Sequence, residues 1–133
     1  MKLIIAGSRD LLKAKEISPS LIEVLIYTQF EIFPDEIVSG HGGVVDKSGE
    51  KFSRFIINKE PTLFPAEWDK YGNSAGPIRN KQMADYADAL LLIWDGESKG
   101  STNMKKLMID LKKPVYEVIL KKQIPEKEVS LEF

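Results

Sequence analysis

The run Ala89–Trp94 constrains the fold of this chain most strongly, because all six of its residues are apolar. Runs without polar alternation are typical of strands covered on both faces, as in a parallel sheet between two layers of helices. A shorter apolar run over residues 2–6 stops at Gly7 and predicts a strand that opens the fold. Together these segments predict a core built on buried parallel strands.

Predicted strands and helices alternate along the rest of the chain. Ser18-Pro19 reads as an N-cap followed by proline at the first helical position, whereas Ser48-Gly49 is expected to weaken or break a later helix. The predicted strands cover residues 2–6, 36–39, 61–65, 89–94 and 114–119, and the predicted helices are residues 18–29, a segment carrying Val45, Phe52, Phe55 and Ile56, residues 76–86, and a stripe of Met104, Leu107, Met108 and Leu111. This order implies right-handed crossovers and an α/β fold, a three-layer Rossmann-like domain with a mostly parallel sheet of about five strands.

Length and composition limit the classes of function. The 133 residues fit one domain, expected over residues 1–120, with a charged C-terminal tail over residues 121–133. With no Cys and one His, the chain lacks thiolate ligands and cysteine nucleophiles, and we expect no metal and no cofactor. A net charge of −1 gives no basic footprint, so nucleic acid is not an expected partner. No apolar run reaches the roughly 18–20 residues of a membrane span, and the start of the chain has no signal-peptide layout, so we expect a cytoplasmic protein without membrane contact.

The unusual residues of the chain follow the predicted strands, at the ends where parallel sheets bind ligands. They are Gly7, Ser8 and Arg9 after the first strand, Ser39, Gly40, His41, Gly42 and Gly43 after the second, Pro65 and Ala66 after the third, and residues 94–103 after the fourth. We expect these loops to share one rim of the sheet and to form a ligand site there.

Two of these loops are suited to phosphate. The glycines of residues 40–43 would let backbone N–H groups face an anion at a helix N-terminus, although a simple tight turn explains them equally well. Residues 98–102 place hydroxyls at the start of a helix, which suits phosphate, while the alternative is N-capping by Ser101 or Thr102. Asp46 is a candidate to bind a ribose hydroxyl, or simply favours the positive end of its helix.

Two arginines are candidate phosphate ligands. Arg79 is expected in the first turn of the helix over residues 76–86, where a cation opposes the helix dipole unless an anion meets it. A guanidinium offers phosphate a planar, bidentate fork. The alternative is a solvated arginine paired with Asp or Glu, and Arg9 presents the same choice.

Aromatic side chains and one imidazole lie near the same rim. Trp68 and Tyr71 could stack on a nucleobase or pack in their loops, whereas Trp94 is expected in the core. His41 could act as a general acid or base, but a single histidine in a glycine-rich loop more often only forms hydrogen bonds.

Several blocks of the chain resemble one known family. They are Gly7-Ser8-Arg9, Val38-Ser39-Gly40 with Asp46, Pro65-Ala66-x-Trp68, Tyr71-Gly72-x-x-Ala75-Gly76-Pro77-x-Arg79-Asn80, Met83, Asp88 and Trp94-Asp95-Gly96-x-Ser98-x-Gly100-Ser101. In this order they resemble the YspA-type, cpYpsA-related branch of the SLOG superfamily, which is common in phages and bacteria. The resemblance extends from Gly7 to about Val118, nearly the whole predicted domain.

The resemblance implies a Rossmann-like fold that binds a nucleotide or a nucleotide-derived ligand, with ADP-ribose-like molecules favoured. Among SLOG relatives, the LOG phosphoribohydrolases have a catalytic glutamate where this chain has Met104, which disfavours LOG-type hydrolysis because a thioether cannot act as a carboxylate does. The ligand-binding residues expected from the loops and the resemblance are Gly7, Ser8, Arg9, Ser39, Gly40, His41, Gly42, Gly43, Asp46, Trp68, Arg79, Asn80, Asp95, Gly96, Ser98, Gly100, Ser101 and Thr102.

The sequence therefore leads to three functional hypotheses. The first is binding of a nucleotide-derived small molecule at the C-terminal edge of the sheet. The alternative is an N-glycosidase or phosphoribohydrolase acting on nucleotides with Asp46, Glu67, Asp95 or Glu97 as its acid. A nucleic-acid-associated module is disfavoured by the nearly neutral charge. Whether the protein is an enzyme stays open, as does a homodimer, since relatives of this fold often pair through helices.

Overall fold

Five parallel strands form the centre of the molecule. The computed structural model describes residues 1–11 and 16–120. Within that part of the chain the strands lie in the order β3-β2-β1-β4-β5, and every neighbouring pair is parallel. The strands are β1 (Lys2–Gly7), β2 (Glu36–Ser39), β3 (Thr62–Leu63), β4 (Ala89–Trp94) and β5 (Val115–Ile119). The predicted α/β fold with a parallel sheet is confirmed.

Helices cover both faces of this sheet, which gives the three predicted layers. The helices are α1 (Pro19–Gln29), α2 (Val44–Phe52), the short α3 (Trp68–Tyr71), α4 (Ala75–Tyr86) and α5 (Lys99–Asp110). Alternate residues of a strand point to opposite faces. Leu3 and Ile5 of β1 therefore pack with α1 and α2, whereas Ile4 and Ala6 pack with α4 and α5.

The apolar run that predicted β4 is buried along its whole length between β1 and β5. Trp94 at its end is only 5% exposed, and its Nε1 donates to Oε1 of Glu117 at 2.9 Å. A buried indole usually needs such an acceptor. The expected place of Trp94 in the core is confirmed.

The expected weakening of the second helix at Ser48-Gly49 is wrong. Helix α2 runs unbroken from Val44 to Phe52 and continues as a π-helical turn, Ser53–Ile57. Gly49 serves close packing instead, since a Cβ on it would lie 2.8 Å from Cβ of Ile5 in β1. The close contact between α2 and the sheet thus offsets the cost of placing glycine inside a helix.

Other differences concern boundaries. The third strand, predicted over residues 61–65, is reduced to Thr62–Leu63, and a 3₁₀ turn (Gly72–Ser74) leads from α3 into α4. The predicted C-terminal tail over residues 121–133 lies outside the described residues. None of the described helices is long and apolar enough to cross a membrane.

Candidate functional site

A cleft opens where the strand order reverses. From β1 the chain builds β2 and β3 on one side and then returns to place β4 on the other side of β1. Such a switch point in a parallel sheet leaves a crevice at the carboxyl ends of the strands. The central cleft found there has a volume of about 350 Å³. It is lined by Ala6, Gly7, Ser8, Arg9, Asp10, Gly42, Gly43, Asp46, Arg79, Asn80, Met83, Asp95, Ser98, Gly100, Ser101 and Met104.

A second depression, the side groove, opens beside the central cleft and has a volume of about 440 Å³. It is lined by Arg9, Trp68, Asn73, Gly76, Pro77, Arg79, Asn80, Lys99, Gly100 and Asn103. Because Arg9, Arg79, Asn80 and Gly100 belong to both, the two depressions are continuous.

The structure brings most of the predicted site residues together. Those that line the central cleft are Gly7, Ser8, Arg9, Gly42, Gly43, Asp46, Arg79, Asn80, Asp95, Ser98, Gly100 and Ser101, and Trp68 lines the side groove. Five predicted residues line neither depression: Ser39, Gly40, His41, Gly96 and Thr102. The convergence of loops from β1, β2 and β4 on one rim is thus present in the fold.

The glycine-rich loop after β2 uses its amides within the protein. Two of them have protein acceptors: His41 N donates to Ser39 Oγ at 3.0 Å and Gly42 N to Asp46 Oδ2 at 2.8 Å. The first amide of α2, Val44 N, donates to the Arg9 carbonyl at 3.1 Å. These donors are already satisfied and are not free for an anion. The carboxylate of Asp46, in the first turn of α2, takes the place that a bound anion would have at this helix end.

Asp46 is a buried acid in the wall of the cleft, with 9% of its surface exposed. Burial raises the pKa of this carboxyl, and the nearby charge of Glu50 adds to the rise. The hydrogen bond from Gly42 and the charges of Arg79 and Arg9 act in the opposite direction. A carboxyl held in this way is suited to exchange hydrogen bonds with a ligand hydroxyl, because it accepts when ionised and donates when protonated.

Glu50 is a second buried carboxylate, which the sequence analysis missed. Its Oε2 accepts from Ser39 Oγ at 2.8 Å and lies 2.9 Å from Nδ1 of His41. His41 has a φ of 55°, in the left-handed region, and its Nε2 lies 3.3 Å from Nζ of Lys47. The imidazole therefore hydrogen-bonds to side chains of helix α2. The one available signal was that Glu50 follows Asp46 by four residues and so shares its helix face.

Arg79 is fixed by acceptors from three different segments. Its Nη1 donates to the carbonyl of Gly40 at 2.5 Å and to that of Phe64 at 3.5 Å, while Nε donates to Oδ1 of Asn80 at 3.0 Å. Because α4 begins at Ala75, Arg79 is the fifth residue of the helix, and the prediction that it lies in the first turn is wrong. The preceding 3₁₀ turn, which the sequence analysis missed, shifts the helix start.

The charge of Arg79 is not neutralised by an ion pair. Among the described residues no carboxylate lies within 4.0 Å of its guanidinium, so the alternative of an arginine paired with Asp or Glu is not seen. Burial lowers the pKa of Arg79, and Asp46 partly offsets this effect. The guanidinium stays protonated at any pH where proteins are folded. A half-buried cation in a cleft wall, with no carboxylate partner among the described residues, favours an anionic ligand.

The start of α5 is shaped by Asp95 and Ser98. Oδ1 of Asp95 accepts from the amides of Glu97 at 2.8 Å and Ser98 at 2.9 Å, and these hydrogen bonds lower the pKa of Asp95. Ser98 is the N-cap residue and both Ser101 and Thr102 lie inside the helix, so the alternative of N-capping by Ser101 or Thr102 is not seen. The Ser98 side chain makes no capping bond, and its Oγ is the one buried side-chain polar atom without a partner in the described part of the chain.

The first amides of α5 have no acceptor either. Within residues 1–11 and 16–120, no protein acceptor meets the N–H groups of Lys99, Gly100 and Ser101, and the helical ladder starts from Thr102 N to Ser98 O at 3.1 Å. The first turn contains no acidic residue. Unlike the N-terminus of α2, this helix end keeps its donors and its positive dipole available.

Asn80 connects the two helices that border the site. Its Nδ2 donates to the carbonyl of Gly100 at 3.2 Å and to Oδ1 of Asn103 at 2.9 Å, while its Oδ1 holds Arg79. Asn80 is only 7% exposed, so this connection is buried. The guanidinium of Arg79 is therefore positioned relative to the start of α5.

Some lining residues were not predicted. They are Ala6, Asp10 and Met83 in the central cleft, and Asn73, Gly76, Pro77, Lys99 and Asn103 in the side groove. Lys99 and Asn103 lie four residues apart at the start of a helix, and that spacing was the signal that could have placed them on one face. Met104, which replaces the glutamate of the LOG enzymes, is 2% exposed and lines the cleft.

The fold and the cleft define a Rossmann-like α/β domain with a polar site at its switch point. Within the described ranges, no three His, Cys, Asp or Glu side chains cluster closely enough to hold a metal ion. When the chain is compared with family models, curated proteins and solved structures, it matches none of them.

Proposed function

We propose that this protein binds a nucleotide or a nucleotide-derived ligand in the central cleft, with its phosphate against the N-terminus of α5. The observation that carries the proposal is the set of unused donors at that helix end: the amides of residues 99–101 and the hydroxyl of Ser98. Leaving a buried hydroxyl unsatisfied costs about 1–3 kcal/mol, and a phosphate oxygen would remove that cost. A helix N-terminus with free amides is a common phosphate site in proteins.

Arg79 supplies the matching charge. Its hydrogen bonds within the protein use Nε and Nη1, which leaves Nη2 as the donor that can reach a ligand. Because Gly40 and Asn80 already fix the side chain, little conformational entropy is lost when a phosphate binds. Hydrogen bonds between charged groups contribute more than neutral ones.

The carboxylates of the central cleft suit a sugar rather than a phosphate. Asp10, Asp46 and Asp95 line this cleft, and carboxylates repel phosphate but accept hydrogen bonds from hydroxyls. A ribose with its diol towards Asp46 would give this buried carboxyl a further hydrogen-bond partner while the phosphate meets α5. The proposal therefore puts the phosphate at α5 and not at residues 40–43, where the amides of His41 and Gly42 already have acceptors and the carboxylate of Asp46 lies close by.

The resemblance to the SLOG superfamily supports the same class of ligand and favours ADP-ribose-like molecules. It rests on residues that meet in the cleft, above all Arg79, Asn80 and Gly100-Ser101. The base is not specified by these contacts, because phosphate-binding amides and carboxylates recognise only the phosphate and the sugar.

Isothermal titration calorimetry with nucleotides, ADP-ribose and cyclic nucleotides tests this proposal. At least one compound should bind with micromolar or better affinity, and Arg79→Ala should weaken it by about 10–100-fold, the equivalent of about 1.5–3 kcal/mol for hydrogen bonds to a charged group. Arg54→Ala is the matched control, because Arg54 pairs with Glu60 outside both depressions. The proposal fails if no compound binds, or if Arg79→Ala binds like the parent protein.

One observation favours an enzyme as second candidate. Carboxyls that could act as acid or base lie in the cleft, whereas the other two predicted acids, Glu67 and Glu97, are exposed and line neither depression. The N-glycosidase hypothesis is thereby reduced to Asp46 and Asp95, joined by Asp10. Release of free base from nucleoside monophosphates, lost in Asp46→Asn, would support it. Binding without any release of base would exclude it.

A further inference from the structure

The two depressions differ in charge although they are continuous. The central cleft contains Asp10, Asp46 and Asp95 beside its two arginines. Among the residues that the structure describes, the side groove is lined by three cationic side chains, Arg9, Arg79 and Lys99, and by no carboxylate. Among the described residues, the side groove is therefore the more positive of the two depressions.

The position of Lys99 indicates that the positive charge of the side groove meets an anion. It is the first residue of α5, where a cation opposes the helix dipole and no acidic residue of the first turn offsets it. In the described part of the chain, its ammonium forms no ion pair within 4.0 Å. Its position costs stability unless an anion in the groove meets it.

The remaining groove residues provide donors of the same kind. Oδ1 of Asn103 accepts from Asn80 at 2.9 Å, so the side-chain amide of Asn103 keeps its N–H groups for another acceptor. The guanidinium of Arg9 lies 5.5 Å from the ring centroid of Trp68, and this stacking holds it at the border between groove and cleft. The arrangement suits a second anion adjacent to the first.

We propose that the side groove binds a second phosphate group, so that the ligand is a diphosphate, a phosphoanhydride that spans from the α5 N-terminus to Lys99 and Arg9. This inference rests on the proposed function, because the first phosphate is the one placed at residues 98–101. A monophosphate dianion at α5 would leave part of the charge of the three cations unbalanced. A diphosphate balances it without a carboxylate being buried beside an anion.

The test compares two pairs of probes by calorimetry without added divalent metal: orthophosphate with pyrophosphate, and AMP with ADP. In each pair we expect the diphosphate to bind at least about tenfold more tightly, equivalent to about 1.4 kcal/mol. Lys99→Gln should reduce the ratio to about threefold or less while monophosphate affinity changes little. The variant should fold normally, since removing a cation from the first turn removes an unfavourable interaction with the helix dipole.

Lys106→Gln is the matched control, because Lys106 is exposed on the same helix, outside both depressions, and the variant has the same change in charge. It should keep the full preference for the diphosphate.

Equal affinity of both members in each pair, or an equal loss for mono- and diphosphate in Lys99→Gln, would overturn the inference and leave the proposed function standing. Failure of all four probes to bind would overturn both. If a single-stranded oligonucleotide bound in a Lys99-dependent way while pyrophosphate did not, the groove would be a nucleic-acid surface and the inference would be wrong.

Discussion

Arg79 of α4 donates a hydrogen bond to the carbonyl of Gly40 at 2.5 Å, although 39 residues separate the two along the chain. A Cβ on residue 40 would lie 2.5 Å from Nη1 and 3.0 Å from Cζ of Arg79. A side chain at position 40 would therefore displace the guanidinium of Arg79, which packs on this glycine. Gly40 lines neither depression, yet it determines where the cation of the cleft lies.

Gly40→Ala should therefore impair binding without impairing folding. The added methyl group displaces the flexible end of Arg79, so we expect affinity for the phosphorylated ligand to fall about tenfold or more while the free energy of unfolding changes by about 1 kcal/mol or less. Calorimetry and urea denaturation measure the two effects. The double variant with Arg79→Ala should bind no more weakly than Arg79→Ala alone, because both changes remove the same contact.

Gly49→Ala provides the contrasting case. Its Cβ would lie 2.8 Å from Cβ of the buried Ile5, which cannot move away as an arginine tip can. We expect a loss of about 1–3 kcal/mol in unfolding free energy, typical of an overpacked core, and an unchanged affinity in the folded fraction. If Gly40→Ala lost stability as Gly49→Ala does, the role given to Gly40 would be wrong.

Ser98→Ala should weaken ligand binding without lowering the stability of the protein. The variant removes a buried hydroxyl that has no partner and makes no capping bond, so unfolding free energy should stay the same or rise by about 1 kcal/mol. Affinity for a phosphorylated ligand should fall several-fold, because the hydroxyl is one of the proposed donors. Ser20→Ala on α1 is the control for both measurements. Unchanged affinity in Ser98→Ala would contradict the placement of the phosphate.

The pH dependence of stability should reveal the burial of Asp46. Because burial raises its pKa in the folded state, the folded protein retains this proton to higher pH than the unfolded chain, whose aspartate has a pKa of about 3.9. Between these two pKa values the unfolded state binds fewer protons, and the contribution of Asp46 to unfolding free energy falls as pH rises. The difference in unfolding free energy, Asp46→Asn minus parent, should therefore increase with pH through this window and then stay constant.

Asp35→Asn is the control in the same denaturation series, because its effect on unfolding free energy should change with pH in the opposite direction. The hydrogen bond and charge of the N-terminal ammonium lower the pKa of Asp35 in the folded state. The contribution of this group is present above the unfolded pKa and is lost as pH falls through the lowered one. Its variant-minus-parent difference should therefore fall as pH rises. If the Asp46→Asn difference fell as pH rises, burial would not raise the pKa of Asp46 in the folded state.

Phe52 and Phe55 offer a paired test of the π-helical turn. Phe52 is fully buried in the core, whereas Phe55, on the turn that follows α2, is 69% exposed. We expect Phe52→Ala to lower unfolding free energy by about 3–5 kcal/mol and Phe55→Ala by about 0.5 kcal/mol or less. Chemical denaturation of both variants measures the difference. Similar losses would show that the turn buries both rings.

Much of the fold was accessible from the sequence because it depends on local patterns. Unbroken apolar runs and helical stripes predicted β1, β2, β4, β5 and the helices between them, with boundaries close to those observed. The expected break at Ser48-Gly49 failed because propensity is a local quantity, whereas the glycine is selected by its contact with Ile5 in another strand. The resemblance to the SLOG superfamily stays a prediction.

The sequence by itself determined that loops rich in glycine, hydroxyl and arginine residues follow parallel strands, and so share an edge of the sheet. Only the tertiary structure decided which of their donors remain available. The amide of Gly42 is satisfied by Asp46, whereas none of the described residues satisfies the hydroxyl of Ser98. The physical reason is that the availability of a hydrogen-bond donor depends on which acceptor the fold brings within about 3 Å of it, and no local pattern contains that distance.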